Sequence, residues 1–238
     1  MTWTITLEIA RHKPGEPRRT DTFQVSIDPD RTVLDSIEKV WAEQDRSLIF
    51  RHACHHASCG SCAMVVNGHE VLPCIKPIRE VTAQGGTLVV EPLHNFPVIG
   101  DLIADMRPFF KQMQLIDLPI VGSTDPLPGQ EPGDYSRFEN CIECGICLSA
   151  CPVVATDSGY LGPAALAAAQ QRISASTNGL SRQAWEAVNG EHGLWRCHAT
   201  FECSAACPSN VDPAGKIMAL RRRMTVERIR RLLRLATE

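Results

Sequence analysis

Eleven cysteines fall into three short windows, residues 54–74, 141–151 and 197–207, and the rest of the 238-residue chain contains none. Windows this compact cannot cross-link distant elements, so the sulfurs are spaced as ligands and not as disulfide staples. The odd total and the absence of an apolar run near the N-terminus point the same way, to thiolates held by metal in a cytosolic or cytosol-facing compartment. A chain of this length can bury a core without staples.

Within the first window the spacing is Cys54-x4-Cys59-x2-Cys62, followed by Cys74. This is the plant-type arrangement that holds a [2Fe–2S] cluster, and the loop "CHHASCGSC" is rich in small residues that let backbone N–H groups approach sulfur. Zinc is the alternative, but structural zinc usually takes two C-x2-C-type pairs, not a triplet with a distant single. Four cysteines are already present, so His55 and His56 read as loop residues and not as Rieske ligands.

The second window, Cys141-x2-Cys144-x2-Cys147-x3-Cys151-Pro152, is the bacterial ferredoxin run, in which the cysteine before proline ligates the partner cluster. Overlaying it on the third window gives Cys197-x2-Thr200-x2-Cys203-x3-Cys207, with threonine at the second ligand position. The cross-over rule then assigns Cys141, Cys144, Cys147 and Cys207 to a [4Fe–4S] cluster. It leaves Cys151, Cys197 and Cys203 for the other, and three thiolates suit a [3Fe–4S] core. The alternative is a four-iron cube whose odd iron binds water or Thr200 oxygen. Fewer thiolates also carry less negative charge, which raises the potential at that end.

Around these loops the pattern is ordinary. Trp3, Ile5, Leu7 and Ile9 alternate with polar residues, as do Phe23, Val25 and Ile27, which predicts two half-buried strands in a hairpin. Thr32 with Asp35 reads as a capping pair ahead of a helix carrying Val33, Ile37, Val40 and Trp41, and "QGGTLVVEPL" as a turn and strand. Residues 1 to about 100 therefore read as a small mixed sheet with one helix and a metal loop. Four prolines and three glycines between Asp117 and Asp134 suit a crossing between domains. Beyond it, Gly162-Pro163, Ser181 and Asp212-Pro213 each open a helix, so the C-terminal half is helical.

Charge divides unevenly along the chain. Residues 216–238 carry eight Lys/Arg against Glu227 and Glu238, leaving 16 basic against 25 acidic residues, a net of −9, on the remainder. A basic end on an acidic body means either a solvated helix face or contact with an anionic surface. No stretch approaches the roughly 20 apolar residues that a membrane span needs.

The motifs "CHHASCGSCAMVVNG" with Cys74, "CIECGICLSACP", "GYLGPAALAAA" and "WRCHATFECSAACPSNVDP" resemble the iron–sulfur subunit of the succinate dehydrogenase and fumarate reductase family, respiratory complex II, over nearly the whole chain. The resemblance implies an α+β chain: a β-grasp plant-type ferredoxin domain over residues 1–104, then an all-α bacterial-ferredoxin-like domain over 105–238. It implies FAD on a flavoprotein partner facing the [2Fe–2S] end, and a quinone on membrane-anchor subunits facing the [3Fe–4S] end, on the cytoplasmic face of the cell membrane. His198 matches a family position beside the quinone site, with a surface or helix-capping histidine as the alternative, and Pro152 and Arg221 sit at the same end by motif matching.

Two departures stand out. The stretch "CPVVATDSGY" lacks the tryptophan that many succinate-oxidising members carry, which favours menaquinone over ubiquinone, and "CHHAS" has histidine where relatives commonly have arginine. No G-x-G-x-x-G, P-loop or acid–base constellation accompanies the cysteines, so the chain reads as an electron relay and needs no nucleic-acid partner. Two other readings stay open: the equivalent subunit of another flavin-linked fumarate reductase, and a free-standing ferredoxin-like carrier.

Overall fold

The computed structural model describes residues 1–13, 15–116, 140–175 and 180–235. The proline-rich crossing expected from Asp117 to Asp134 lies outside the described residues. Two compact units emerge, one comprising Met1–Met106 with Ile142–Ala150, the other Arg107–Cys141 with Cys151–Glu238.

In the first unit the predicted hairpin is present: β1 (Trp3–Arg11) pairs antiparallel with β2 (Arg19–Ile27), Trp3 opposite Ile27 and Arg11 opposite Arg19. Alternation puts Ile5, Leu7 and Ile9 on one face, all completely buried, each contributing roughly 1.5–3 kcal/mol by leaving water. Over that face lies α1 (Val33–Glu43), whose capping box is closed by reciprocal Thr32 and Asp35 bonds and whose Val33, Ile37 and Val40 enter the same core. Strand β3 (Met64–Val66) and β4 (His69–Val71) form a second hairpin through Asn67-Gly68, both at positive φ, 49° and 79°. An Asn-Gly pair between two strand segments is a strong short-range hairpin signal. After the single turn α2 (Ile78–Val81), β5 (Thr87–Glu91) runs parallel to β1 and completes the order β2-β1-β5-β3-β4. A small second sheet pairs β6 (Val98–Gly100) with β7 (Ile103–Ala104). A parallel pair needs a long crossover, and here it holds α1, the first cysteine loop and the β3–β4 hairpin.

One inward position of β1 is not apolar. Arg11 shares the face of Ile5, Leu7 and Ile9, is 1% exposed, and meets Asp101 at 3.2 Å, Asp21 at 3.1 Å and Asp45 at 2.5 Å. The fully buried Asp101 also accepts the backbone N–H groups of His12 (3.0 Å) and Ile49 (2.8 Å), which ties β1 to the segment leading into the first cysteine loop. The Arg11 hydrogen bond, with help from Ser47, holds the Asp45 carboxyl well below the usual carboxylate range. Replacing Arg11→Met leaves Asp101 buried without its cation, and a urea titration is expected to show a loss of about 3 kcal/mol. Because the Asp45 carboxyl is depressed, the pair's contribution is complete above pH ~4 and fades as pH falls toward that depressed value. The variant's stability should therefore depend less on pH in that acid window than the parent's does.

The second unit opens with α3 (Arg107–Gln114). The short α4 (Ile146–Ser149) belongs to the first unit, and the second resumes with α5 (Pro152–Thr156), α6 (Gly162–Ala175), α7 (Arg182–Asn189), α8 (Glu202–Ala205) and α9 (Pro213–Leu235). Gly162 through Ala169 are all buried, and the alanines among them let α6 pack closely against α9, α3 and α7. Ala214, Ile217, Leu220 and Met224 form the answering stripe on α9 at helical spacing. Beyond Met224 no described side chain of α9 is buried. Among the described residues, no helix is long and apolar enough to cross a membrane.

Candidate metal centres

The first cysteine loop turns sharply through left-handed residues, His55 (φ 59°), Ala57 (58°) and Gly60 (69°), and so folds its backbone around its own sulfur atoms. The N–H groups of Ser58 and Cys59 each donate to Cys54 Sγ at 3.3 Å. These donors, led by the backbone N–H of His56, bring the Cys54 thiol down to about 7. Cys62 and Cys74 are buried, the latter on a single 3-10 turn, Pro73–Ile75. Burial pushes the Cys62 thiol up to about 12, and Cys74 and Cys59 are its neighbours. Since Cys59 also bonds to Cys54, the loop gathers all four sulfurs expected from the spacing. Two buried thiols, Cys62 and Cys74, beside the less buried Cys54, whose sulfur takes backbone N–H groups, and the exposed Cys59 fit a cluster whose iron binds thiolate and whose charge is offset by hydrogen bonds.

The middle of the second motif is fastened to the sheet of the first unit. Ser149 Oγ donates to Glu70 Oε1 at 2.9 Å and accepts the His94 N–H at 2.8 Å, while Asn95 Nδ2 donates to the Leu148 and Ser149 carbonyls at 2.8 Å each. Gly60 makes the approach possible, because a Cβ there would stand 2.8 Å from both Cys144 Cβ and the Ile142 carbonyl oxygen. Its positive φ adds a second reason for glycine. One bare Cα therefore lets the first cysteine loop touch the segment bearing Cys144 and Cys147.

The third motif copies the backbone of the second. Glu143 and Gly145 have φ 53° and 80°; Ala199 and Phe201, at the same offsets from Cys197 as those two from Cys141, have φ 56° and 65°. The helices that follow, α4 and α8, begin at the same offset and close with matching bonds, Ser149 N–H to Gly145 O and Ala205 N–H to Phe201 O. Thr200 thus stands in backbone register with Cys144, and it is exposed. Holding Phe201 left-handed costs roughly 1–2 kcal/mol that Gly145 avoids.

Within the second unit, Cys151 at the start of α5, Cys197 after the turn Leu194–Arg196 and Cys203 on α8 come together. Burial, then Cys151 and Cys197, pushes the Cys203 thiol up to about 12, and burial raises Cys151 as well. Tyr160 joins them, 2% exposed and in hydrogen-bond contact with Cys197; burial, then the negative sulfurs, drives its hydroxyl above the phenol range. Sequence reasoning missed Tyr160, and only its place in "GYLGP", a motif already singled out, pointed toward it. Arg221 Nη2 donates to the Cys197 carbonyl at 2.5 Å, whereas Pro152 and His198, each next in sequence to one of the three cysteines, are exposed. Behind this loop Asp157 accepts from Arg196 Nε at 3.0 Å and lies 2.9 Å from His192 Nδ1.

Comparison with known proteins matches two successive segments of the chain. Residues 6–111 match the 2Fe-2S iron-sulfur cluster binding domain and residues 137–211 the 4Fe-4S dicluster domain. A "Fumarate reductase iron-sulfur subunit" of Mycobacterium tuberculosis is 33% identical over 242 residues, covering 96% of each chain. The protein of the same name from Haemophilus influenzae is 32% identical over 89% of each. A mitochondrial "Succinate dehydrogenase [ubiquinone] iron-sulfur subunit 1" of rice is 33% identical over 92% of this chain and 82% of its own. In fold, a chain of the Mycobacterium smegmatis Sdh1 complex in the apo form superposes with a TM-score of 0.76 over 95% of this chain and 98% of its own, at 23% identity.

Proposed function

Because the chain belongs to the family of fumarate reductase and succinate dehydrogenase iron–sulfur subunits, electron-transfer parts of an oxidoreductase complex, we propose a specific allocation of its eleven cysteines to three clusters. Cys54, Cys59, Cys62 and Cys74 hold a [2Fe–2S] cluster in a β-grasp domain, residues 1–104. In a helical domain, residues 105–238, Cys141, Cys144, Cys147 and Cys207 hold a [4Fe–4S] cluster, and Cys151, Cys197 and Cys203 a [3Fe–4S] cluster. Bound there, the clusters supply one-electron redox centres. The chain's own residues hold sulfur at fixed positions, aim N–H groups at it and exclude water, so little reorganises when charge moves.

The observation that carries this reading is the repeated backbone of the second and third motifs, with Thr200 in register with Cys144. A loop built to present a ligand presents a hydroxyl in its place, which removes one thiolate from an otherwise matching site.

The partner on the [2Fe–2S] side is a flavoprotein carrying FAD, and on the [3Fe–4S] side membrane-anchor subunits with a quinone, at the cytoplasmic face of the membrane. Pro152, His198 and Arg221 belong to the quinone neighbourhood: the first and second flank cysteines of the three-iron set in sequence, and the third holds the Cys197 carbonyl. The missing tryptophan in "CPVVATDSGY" favours menaquinone.

The complex purified from its native membrane is expected to contain flavin, about nine irons per copy of this chain and extractable menaquinone, and to couple succinate or fumarate to quinone. Isolation of the chain alone, stable and without flavin, would instead identify a free carrier. Iron far below nine, or zinc in its place, would overturn the allocation.

A further inference from the structure

Two of the histidines in "RHACHH" meet a carboxylate from α1, and nothing in the relay accounts for the arrangement. His52 Nδ1 lies 3.0 Å from Glu38 Oε1, His55 Nε2 lies 3.4 Å from the same oxygen, and the two nitrogens are 3.2 Å apart. The rings are held from behind: Phe50 stacks on His52 at 5.2 Å, His52 meets His55 edge to face at 5.3 Å, and the left-handed φ of 59° at His55 turns its ring back toward α1. Glu38 Oε1 itself is buried.

Three lone-pair atoms at these spacings describe the face of a coordination polyhedron. Donor atoms around a tetrahedral ion with bonds of about 2.0–2.1 Å stand about 3.3–3.4 Å apart, and the three separations here bracket that value. Protons satisfy the cluster less well. As the rings stand no hydrogen bond satisfies the buried Glu38 Oε1, whereas a cation on the open side of the triangle would meet all three donor atoms at once.

We propose that Glu38 Oε1, His52 Nδ1 and His55 Nε2 form a site for a divalent transition ion of the zinc class, its fourth position open to water. Two imidazoles exclude magnesium and calcium, which take oxygen ligands, and select zinc, cobalt, nickel or copper. A two-histidine, one-glutamate set with solvent at the fourth position is also a donor set that zinc takes where it stays reactive. In the chain by itself the solvent face is present, because His52 and His55 are 41% and 44% exposed. An ion here ties α1 to the loop that carries Cys54 and Cys59, and fixes that loop from its outer side.

Zinc titrated alone into the purified complex, with its iron in place, tests the site by calorimetry and by metal analysis of the same samples. One zinc per chain is expected, with iron content unchanged. Glu38→Gln, His52→Asn and His55→Asn should each weaken binding at least tenfold, and iron analysis of each variant separates loss of the site from loss of the clusters. Zinc-edge absorption spectroscopy should show nitrogen and oxygen neighbours at about 2.0 Å. Sulfur neighbours at about 2.3 Å, zinc uptake matched by iron loss, no saturable binding, or binding unaltered in His52→Asn would each overturn the proposal.

Discussion

Under the proposed allocation of cysteines, substituting Thr200→Cys is expected to convert a three-iron centre into a four-iron one. Low-temperature EPR of the oxidised protein should lose its three-iron signal, and the reduced protein should gain a new four-iron signal. The expectation rests on backbone register: residues 197–203 repeat the left-handed turns of 141–147, and Thr200 occupies the place where the earlier motif puts Cys144. Threonine and cysteine are close in size, and position 200 is exposed, so the substitution meets no core. The added thiolate makes the site more negative and should lower its midpoint potential. In the proposed relay, electron transfer into this centre from the [4Fe–4S] cluster would then become less favourable, and succinate-to-quinone turnover should fall although every cluster is present. An unchanged EPR spectrum would mean that position 200 does not face the metal.

The second large effect concerns Cys207. Under the same allocation, exchange for serine is expected to remove the [4Fe–4S] cluster assigned mainly to the second motif, lowering iron from about nine to about five per chain, and to leave the three-iron signal standing. Cys207 lies in the third motif, so proximity in sequence would assign it to Cys197 and Cys203. The structure groups Cys151 with those two instead, around Tyr160, and holds Cys207 Sγ separately through the Val211 N–H at 3.4 Å. With the four-iron cluster gone the relay is interrupted at its middle, and quinone-linked activity should vanish while flavin-linked activity with an artificial acceptor persists. Damage confined to the three-iron centre would reverse the pairing.

Legibility of the sequence differed from one feature to the next for physical reasons. The β1–β2 hairpin, the Thr32–Asp35 cap and the starts of α6, α7 and α9 depend on residues at most a few positions apart, and alternation or a capping side chain announces each. The β3–β4 hairpin was equally local, written in Asn67-Gly68, yet its three-residue strands are too short to show a period. Arg11 went unread: the apolar alternation stops at Ile9, and the chemistry that makes burial at position 11 tolerable comes from Asp21, Asp45 and Asp101, the last 90 positions away.

Ligand type and spacing were set by sequence alone: eleven sulfurs in groups that suit clusters, with one hydroxyl in a ligand's place. Those depend on the reach of a few residues of backbone, which composition and order fix directly. Tertiary structure alone decided that Tyr160 meets Cys151, Cys197 and Cys203, that Gly60 clears the way for Cys144, and that Glu38 meets His52 and His55. Each of these brings together side chains from separate elements. Such meetings follow from how helices and strands pack to bury their apolar faces, and no local pattern encodes where two packed elements touch.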